Sequence, residues 1–422
     1  MNKDACKYLV IDFGEDLDDI LNTFVHIMED IHMIISDYRP MVSGVKTKRF
    51  DEVLMTDISS DIVKFVTTDE AREINILKLK RVLPFNISSN FISINEFLIS
   101  ELKNNKRIFL KPQTVRLEAS TICQLNCVGC YMRLEHSGTM GTGYLRFEDY
   151  KNFIISNPFI KRIELANSGE VFLNPDLGKI IQFSADRNVR LTINSGCNLN
   201  TVSKDVLEII VKSNIVDSIS VSIDGASQKT YAQYRRNGVF ENVINNIRLL
   251  NEFKKLYSSE NPKLYWQYIL FAHNEQDVQL AKKMALRLDM EIKFKLDWGD
   301  GFAPVNIKKL RDETGLQYFS RAEYNSVHEL PYYANRKCKS MIFSPQINYD
   351  GRLLGCCSVY CNDWGKNIFQ VGLINALNSK EYMDAVYMVL GAGPIKNRTT
   401  PCGECSQWKR YKKGMKLNFS CV

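Results

Sequence analysis

Short apolar runs alternate with amphipathic segments through the middle of the chain. Apolar residues recur at steps of three and four positions, as Val243, Ile247 and Leu250 do, and such segments predict helices. The predicted helices are Phe147–Ile155, Leu177–Arg187, Lys204–Ser213, Phe240–Tyr257 and Glu275–Leu288. The apolar runs predict strands near residues 115–120, 161–166, 189–194, 216–223, 264–271 and 291–297. The alternation indicates an α/β fold with a parallel sheet and helical crossovers.

The N-terminal quarter of the chain has a different pattern. Lys7–Asp12 predicts a strand, whereas Leu17–Ile35 has the spacing of a helix and Ile94–Leu102 that of a short helix. We interpret residues 1–110 as a small α+β domain that acts mainly as a helical cap for binding substrate or a partner.

The length of 422 residues indicates two or three domains, each large enough to bury a core. We place boundaries near Lys111-Pro112 and in the stretch Asp297–Ala303. The predicted domains are therefore residues 1–110, a core at 111–310 and a C-terminal extension at 311–422.

Charge and hydropathy disfavour two classes of function, nucleic-acid binding and insertion into a membrane. The net charge is +7, and the one basic run, Lys409–Lys416, favours a solvated terminal segment over nucleic-acid binding. No apolar run reaches the roughly 18–20 residues of a membrane span, and the N-terminus lacks the apolar region of a signal peptide. We therefore expect a cytoplasmic protein without membrane contact. In that compartment its twelve cysteines favour metal binding over disulfides.

Three of these cysteines lie on one short loop. Cys123, Cys127 and Cys130 follow the spacing C-x3-C-x2-C. A [4Fe–4S] cluster usually takes four thiolates, so three ligands leave one iron open, and an open position marks a reactive metal site. A zinc knuckle or a group of buried free thiols is the alternative, although zinc sites usually show paired C-x2-C units.

This loop resembles the cluster loop of the radical S-adenosylmethionine (SAM) enzymes. In that family the open iron binds the amino and carboxylate groups of SAM, and the cofactor is cleaved to a 5′-deoxyadenosyl radical. The resemblance implies a partial (β/α)6 barrel, similar to a TIM barrel, over residues 111–310. It also implies a [4Fe–4S] cluster and SAM as cofactors, and an electron donor such as flavodoxin or ferredoxin.

Short motifs after the cysteine loop extend the resemblance. The turn Ser168-Gly169-Glu170 resembles the family's Gly-Gly-Glu turn that binds the SAM amino group, with serine in place of the first glycine. Asn194 lies in an element that resembles the family's Thr-Asn-Gly turn. The resemblance implies further contacts with the SAM carboxylate, through the Ser-x-Asp-Gly strand and a downstream arginine, whose bidentate guanidinium suits that task. The matching residues here are Ser222, Asp224 and Arg235.

A second group of cysteines lies near the C-terminus. Cys338, Cys356, Cys402 and Cys405 follow a pattern, C-x12-G-x4-C and then C-x2-C, that resembles the SPASM and twitch extensions of radical SAM enzymes. The resemblance implies that these four hold one auxiliary [4Fe–4S] cluster. Tyr411 and Met415 occupy positions where a full SPASM pattern has cysteines, which favours the twitch-like form. Two alternatives stay open, a zinc ribbon and a second auxiliary cluster on the remaining thiols Cys357, Cys361 and Cys421.

The resemblance favours an enzyme over a non-catalytic iron–sulfur or zinc scaffold, because a scaffold need not keep Glu170, Ser222 and Arg235. The related enzymes point to a peptide or protein maturase that performs epimerisation, oxidation or cross-linking. A carbohydrate or aminocyclitol dehydrogenase or epimerase is the alternative. Some peptide-modifying relatives begin with a winged-helix domain, but the consecutive strands of that domain are not evident in residues 1–110.

In the resembling peptide epimerases, a C-terminal thiol gives a hydrogen atom to the substrate radical. The candidate donors here are Cys357, Cys361 and Cys197, the last at the tip of a predicted strand. A free cysteine is also commonly just a small buried residue, and that alternative applies to all three.

Overall fold

The computed structural model describes thirteen parts of the chain. These are residues 7–11, 31–36, 41–42, 45–49, 63–67, 91–93, 109–130, 140–297, 302–328, 334–356, 363–389, 400–405 and 408. The chain divides into two compact units. The first comprises Met1–Gln113, Leu377–Glu404 and Lys412–Val422, and the second comprises Thr114–Ala376 and Cys405–Tyr411. Over the described ranges, no helix combines the length and the apolar character that crossing a membrane requires.

The first unit contains a four-stranded parallel sheet. Its N-terminal strands are β1 (Lys7–Ile11), β2 (Ile31–Ile35), β3 (Met41–Val42), β4 (Val45–Lys46), β5 (Val63–Thr67) and β6 (Phe91–Ser93). The parallel sheet has the order β2-β1-β5-β6, and β3 pairs with β4 as an antiparallel ribbon. The prediction of a strand at Lys7–Asp12 is confirmed by β1.

The helix predicted over Leu17–Ile35 is wrong at its C-terminal end, because Ile31–Ile35 forms strand β2. This mostly apolar segment pairs with β1 in parallel. Strands of a parallel sheet read as nearly continuous apolar runs, and periodicity alone does not distinguish such a short run from a segment of a buried helix. The described parts of residues 1–110 include the strands β1 to β6, and the role predicted for this domain stays a prediction. Residues 17–30 and the predicted helix Ile94–Leu102 lie outside the described residues.

The second unit is built on an eight-stranded sheet. Its strands are β7 (Thr114–Leu117), β8 (Arg162–Glu164), β9 (Arg190–Cys197), β10 (Val216–Ser222), β11 (Lys263–Ile269), β12 (Glu291–Lys295), β13 (Gln346–Ile347) and β14 (Leu353–Gly355). The order is β12-β11-β10-β9-β8-β7-β13-β14. All neighbours are parallel except β13 and β14. Among the described strands the sheet is not closed, as expected of a partial barrel, and all six strands predicted between residues 111 and 310 are confirmed.

Helices connect these strands. They are α1 (Phe147–Ser156), α2 (Leu177–Asp186), α3 (Lys204–Ser213), α4 (Gln228–Tyr234), α5 (Phe240–Leu256), α6 (Val278–Arg287), α7 (Ile307–Thr314), α8 (Arg321–His328), α9 (Ala334–Phe343), α10 (Ile368–Val371) and α11 (Leu373–Leu377). Two 3-10 turns, Val171–Leu173 and Glu275–Asp277, precede α2 and α6. The first unit also contains α12 (Lys380–Val389) and α13 (Pro401–Glu404). The five predicted helices are confirmed, the last of them as a 3-10 turn followed by α6.

The two faces of the barrel sheet differ in polarity. One face carries fully buried apolar side chains such as Val115, Leu191 and Ile219. The other face carries polar and charged side chains, because paired residues in a parallel sheet point to the same side. One row across it is Gln346, Arg116, Glu164 and Thr192, and another is Ser222, Gln267 and Lys293.

The three-domain division at residues 1–110, 111–310 and 311–422 stays a prediction. The structure adds that β13 and β14, from the predicted C-terminal extension, continue the barrel sheet beside β7.

Candidate active site

The three-cysteine loop follows β7, at the C-terminal end of the barrel strands. Its first half is held by the turn Ser168-Gly169-Glu170. The Gly169 N–H donates to the Ser120 carbonyl (3.1 Å), and the Glu170 N–H donates to the Ile122 carbonyl (2.8 Å). A Cβ on Gly169 would lie 2.3 Å from the Ser120 carbonyl oxygen, so only glycine allows this approach.

The second half of the loop is held by the segment after α4. The Asn126 N–H donates to the Arg236 carbonyl (2.9 Å), and the Val128 N–H donates to the Tyr234 carbonyl (3.1 Å). Gly129 adopts a φ of +77°, a left-handed conformation that favours glycine. Two of the segments that the sequence singled out, the Glu170 turn and the Arg235 segment, therefore fix the cysteine loop from either side.

The thiols of Cys123, Cys127 and Cys130 are half-buried and form no disulfide. Burial raises the pKa of Cys123, and the neighbouring Glu170, Cys127 and Cys130 raise it further. Burial also raises the pKa of Cys127, although the Arg235 charge opposes this. Thiols so placed become thiolates when a cationic metal centre compensates their charge, and metal binding requires that deprotonation.

The donor set fits an iron–sulfur cluster, with three thiols on one fixed loop. Among the described residues, no three His, Cys, Asp or Glu side chains are grouped as ligands of a single metal ion. The thiolates of a cubane cluster each bind a different iron, and three cysteines on one loop are the type of donor that such a cluster takes.

Arg235 and Asp224 form an ion pair beside Cys127. Arg235 Nε donates to Asp224 Oδ2 at 2.6 Å, and Asp224 has no solvent exposure. Asp224 Oδ1 also accepts the Ile269 N–H at 2.7 Å, which fixes the carboxylate at the end of β11. Arg235 Nη1 lies 3.7 Å from Cys127 Sγ. The predicted pair of SAM-binding residues thus lies against the cysteine loop.

Asn198 is a site residue that sequence reasoning missed. Its side-chain Nδ2 lies 3.6 Å from Cys123 Sγ, and its backbone N–H donates to Glu170 Oε2 at 2.6 Å. Burial raises the pKa of Glu170 to about 7, against hydrogen bonds from the backbone of Asn198, Phe172 and Leu199. No motif marks Asn198, since its position depends on the fold of the segment after β9.

The other predicted SAM contacts lie in or after the strands β8, β9 and β10. The Asn194 N–H donates to Glu164 Oε1 at 2.8 Å, and the Ser168 hydroxyl lies 3.8 Å from Met140 Sδ. Ser222 ends β10 and is 4% exposed. A Cβ on Gly196, whose φ is +113°, would lie 2.6 Å from Ser222 Oγ. Close approach of β9 to β10 therefore requires glycine at this position.

A polar network on the same face of the sheet was also missed. Arg116 donates to Gln346 Oε1 (2.9 Å), Asn167 Oδ1 (2.8 Å) and Ser195 Oγ (2.5 Å). Lys295 Nζ donates to Gln267 Oε1 (2.5 Å), and Gln267 Nε2 donates to Ser222 Oγ (3.3 Å). The hydrogen bonds of Arg116 connect β7 with β13 and β9. The hydrogen bonds from Lys295 to Gln267 and from Gln267 to Ser222 connect β12, β11 and β10. The sequence pattern did not show this, because each residue is an ordinary polar position within its own strand.

None of the C-terminal cysteines that the structure describes is bonded in a disulfide. Cys338 lies in α9 and Cys405 follows α13, both half-buried, whereas Cys356 directly after β14 and Cys402 in α13 are buried. Cys197, the last residue of β9, is 2% exposed and its thiol donates to the Ser220 carbonyl at 3.4 Å. Cys357, Cys361 and Cys421 lie outside the described residues.

A cavity of about 420 Å³ lies elsewhere in the second unit, between α1 and Ile368–Asn375. Its described lining residues include Phe153, Ile368 and Phe369, with Asp149 as the one charged group. It contains none of the residues that carry the chemistry discussed above.

Comparison with known proteins gives two kinds of match. Residues 117–258 match the family model of the Radical SAM superfamily. The structure is similar to that of Streptococcus suis SuiB bound to S-adenosylmethionine, with 15% identity, a TM-score of 0.52, and coverage of 80% of this chain and 81% of that chain. It is also similar to SuiB bound to the precursor peptide SuiA, with 15% identity, a TM-score of 0.52, and coverage of 80% and 82%.

A further similar structure is native anSMEcpe with bound AdoMet, at 12% identity and a TM-score of 0.47, covering 71% of this chain and 87% of that chain. No curated protein matches the chain. At 15% identity, the likeness to SuiB shows a shared fold.

Proposed function

We propose that the chain, whose residues 117–258 match the family model of the Radical SAM superfamily, cleaves SAM reductively and removes a hydrogen atom from a peptide or protein. The observation that carries the proposal is the cysteine loop, held between the Glu170 turn and the Arg235 segment. A [4Fe–4S] cluster held there would supply the electron for the cleavage, and a donor such as flavodoxin or ferredoxin would supply that electron to the cluster. Cys123, Cys127 and Cys130 would hold this cluster through their thiolates.

The residues around the loop would bind and orient SAM. The Arg235 guanidinium, held by Asp224, offers a charged donor for the SAM carboxylate, and Ser222 offers a hydroxyl. The Ser168-Gly169-Glu170 turn would receive the amino group. Asn194, whose N–H donates to Glu164, lies within the neighbouring strand β9. Catalysis needs the reacting C–H bond held close to the SAM 5′-carbon, so these contacts contribute mainly by orientation.

The polar face of the barrel sheet supports a polar substrate. Arg116, Gln267 and Lys295 present charged and amide groups from three different strands. Such groups suit the amides and charged side chains of a peptide, and the structurally similar SuiB is described as bound to a precursor peptide. Because the same lining suits hydroxyl groups, a small carbohydrate or aminocyclitol is the second candidate substrate.

We extend the proposal to the C-terminal cysteines on the strength of their spacing. Cys338, Cys356, Cys402 and Cys405 would hold one auxiliary [4Fe–4S] cluster. Cys357 and then Cys361 are the preferred hydrogen-atom donors if the reaction is an epimerisation. Cys197 ranks below them, because its thiol is buried and donates to the Ser220 carbonyl.

The test of the enzyme proposal is SAM cleavage by the anaerobically reconstituted protein with dithionite. We expect 5′-deoxyadenosine from the wild type and none from the triple variant with Cys123, Cys127 and Cys130 changed to alanine. Cys197→Ala, which changes a buried thiol outside the loop, serves as the control and should retain cleavage. Full cleavage by the triple variant would contradict the assignment, and no cleavage by the loaded wild type would favour a scaffold.

The substrate class is tested by mass spectrometry after incubation in deuterated water with candidate peptides encoded nearby, and in parallel with carbohydrates. A peptide that gains one deuterium without other change indicates epimerisation, and one lighter by two hydrogens indicates oxidation or cross-linking. Turnover of a carbohydrate but of no peptide would replace the maturase proposal with the alternative.

A further inference from the structure

Two side-chain N–H groups point at two of the three loop cysteines. Asn198 Nδ2 lies 3.6 Å from Cys123 Sγ, and Arg235 Nη1 lies 3.7 Å from Cys127 Sγ. Sulfur accepts hydrogen bonds at longer distances than oxygen, and an ionised acceptor strengthens such a bond. Asn198 is 4% exposed and the Arg235 side chain is 14% exposed, so water competes little at either position.

The amide of Asn198 is held in one orientation. Its Oδ1 accepts the Asn200 N–H (2.9 Å) and the Gln124 side-chain amide (2.9 Å), so an oxygen must occupy that position. The opposite atom is therefore the nitrogen, which has two hydrogens. The nitrogen donates one hydrogen to Gln124 Oε1, at an N–O distance of 3.2 Å, and its second hydrogen is available to Cys123 Sγ.

The guanidinium of Arg235 is fixed by a different route. Its Nε donates to buried Asp224, which is itself held by the Ile269 N–H. A planar guanidinium anchored at Nε directs its remaining N–H groups along set lines, and one of these lines leads to Cys127. Two unrelated parts of the chain, the segment after β9 and the segment after α4, thus supply one oriented donor each.

We propose that Asn198 and Arg235 donate N–H groups to the Cys123 and Cys127 thiolates of the bound cluster and raise its reduction potential. This inference rests on the proposed function. One-electron reduction adds a negative charge to the cluster, and donors at its sulfur ligands stabilise the more negative state more strongly. Hydrogen bonds to sulfur are an established determinant of iron–sulfur potentials. Both residues act through the cluster and are positioning residues in this role.

The test is a redox titration of the reconstituted full-length protein, followed by EPR without SAM. The relevant signal is the one absent from the triple variant of Cys123, Cys127 and Cys130. Asn198→Leu and, separately, Arg235→Lys should titrate at a more negative potential. We expect about a tenfold lower ratio of reduced to oxidised cluster at a fixed applied potential, which for one electron is about 59 mV.

Two further variants separate the hydrogen bond from loop position and folding. Asn246→Leu removes a 2.8 Å bond from Asn246 Nδ2 to the Leu199 carbonyl, which holds the same segment without touching a thiol. Its potential should equal that of the wild type. Asn198→Asp keeps an oxygen for Asn200 and Gln124, so it should remain folded, and it replaces the donor with a carboxylate oxygen. Its potential should shift negatively at least as far as that of Asn198→Leu, because the added charge acts in the same direction as the lost hydrogen bond.

Asn198→Leu and Asn198→Asp variants that load the cluster and titrate at the wild-type potential would overturn the inference. An equal shift in Asn246→Leu would overturn it too, because the cause would then be loop position. A wild type with no signal dependent on the three cysteines would instead refute the proposed function, and this inference with it.

Discussion

Glu118 is a buried carboxyl whose pKa is raised by its surroundings. It directly follows β7 and is 1% exposed. Burial raises its pKa from 4.5 to about 7, although hydrogen bonds from Ser168 and Asn167 and the charge of Arg116 act in the opposite direction. The folded chain therefore keeps this proton over a pH range in which the unfolded chain has lost it.

The sign of the resulting pH dependence follows from this difference. Between about pH 4.5 and 7 the folded state binds more protons at Glu118, so the free energy of unfolding falls as pH rises and levels off above pH 7.

We expect Glu118→Gln to remove this contribution, which is at most on the order of 3 kcal/mol. Denaturant unfolding of both proteins between pH 4 and 8 measures it. Glu241→Gln, at a side chain that is 64% exposed, is the matched control. Parallel curves for wild type and Glu118→Gln would contradict the assignment.

At the residue scale, the sequence predicts ligands that lie within one segment and misses partners that the fold brings together. The spacing of Cys123, Cys127 and Cys130 is visible because all three share one loop. Asn198 lies 75 residues from Cys123, and Gln346 lies 230 residues from Arg116. Contacts over such separations depend on strand order and register, which a local pattern does not encode.

At the scale of single elements, the turn Ser168-Gly169-Glu170 is the tightest junction of the site. A Cβ on Gly169 would meet only backbone atoms, at 2.3 Å from the Ser120 oxygen, 2.7 Å from the Thr121 carbonyl carbon and 2.8 Å from the Ile122 oxygen. Backbone cannot rotate away as a side chain does, so either the turn or the cysteine loop must move.

We therefore expect Gly169→Ala to lower the free energy of unfolding by about 1–3 kcal/mol, as overpacking commonly does. SAM cleavage should fall by at least about tenfold, because displacement of the loop misplaces the reacting groups. Iron content and 5′-deoxyadenosine formation are the measurements. Gly178→Ala is the control, since its Cβ would lie 3.4 Å from Ile209 Cδ1 and alanine favours the helix α2. Equal activity of Gly169→Ala and wild type would contradict the described turn.

Helices and strands were predictable where the apolar residues follow one clear period. In the core, apolar runs predicted the strands and helical spacing predicted the helices, and the predicted bounds agree with the observed ones within a few residues. Strand β2 was mistaken for the end of a helix because four of its five residues are apolar, and its identity comes from pairing with β1. The two-residue strand β13 and three-residue strand β14 are too short to show a period, so their place beside β7 was not predictable.

At the scale of the whole molecule, the second unit joins two kinds of surface on one sheet. Its apolar face is covered by helices, and its polar face carries side chains from β7 to β13 beside the cysteine loop. This explains why the core fold could be predicted while the substrate could not. Apolar periodicity specifies the covered face, but the polar face combines side chains from seven strands, and that combination appears only after folding.

The last prediction concerns how many clusters the whole chain holds. Thiolate ligands bind metal only after deprotonation, and their binding energy contributes to folding, so each missing ligand should cost both iron and stability. With one cluster on Cys123, Cys127 and Cys130 and another on Cys338, Cys356, Cys402 and Cys405, the wild type should contain about eight irons per chain. Alanine at any of the last four should lower iron by up to about four per chain and reduce solubility.

The triple variant of the first loop should retain about four irons per chain, because the auxiliary site is independent of it. Cys197→Ala should lose none, since that thiol belongs to neither set. Iron, sulfide and zinc assays on the same samples decide between the alternatives. About twelve irons per chain would require a second auxiliary cluster on Cys357, Cys361 and Cys421, and about four irons with one zinc would indicate a zinc ribbon instead. Because these counts are independent of SAM turnover, they test the C-terminal cysteines even where no substrate is known.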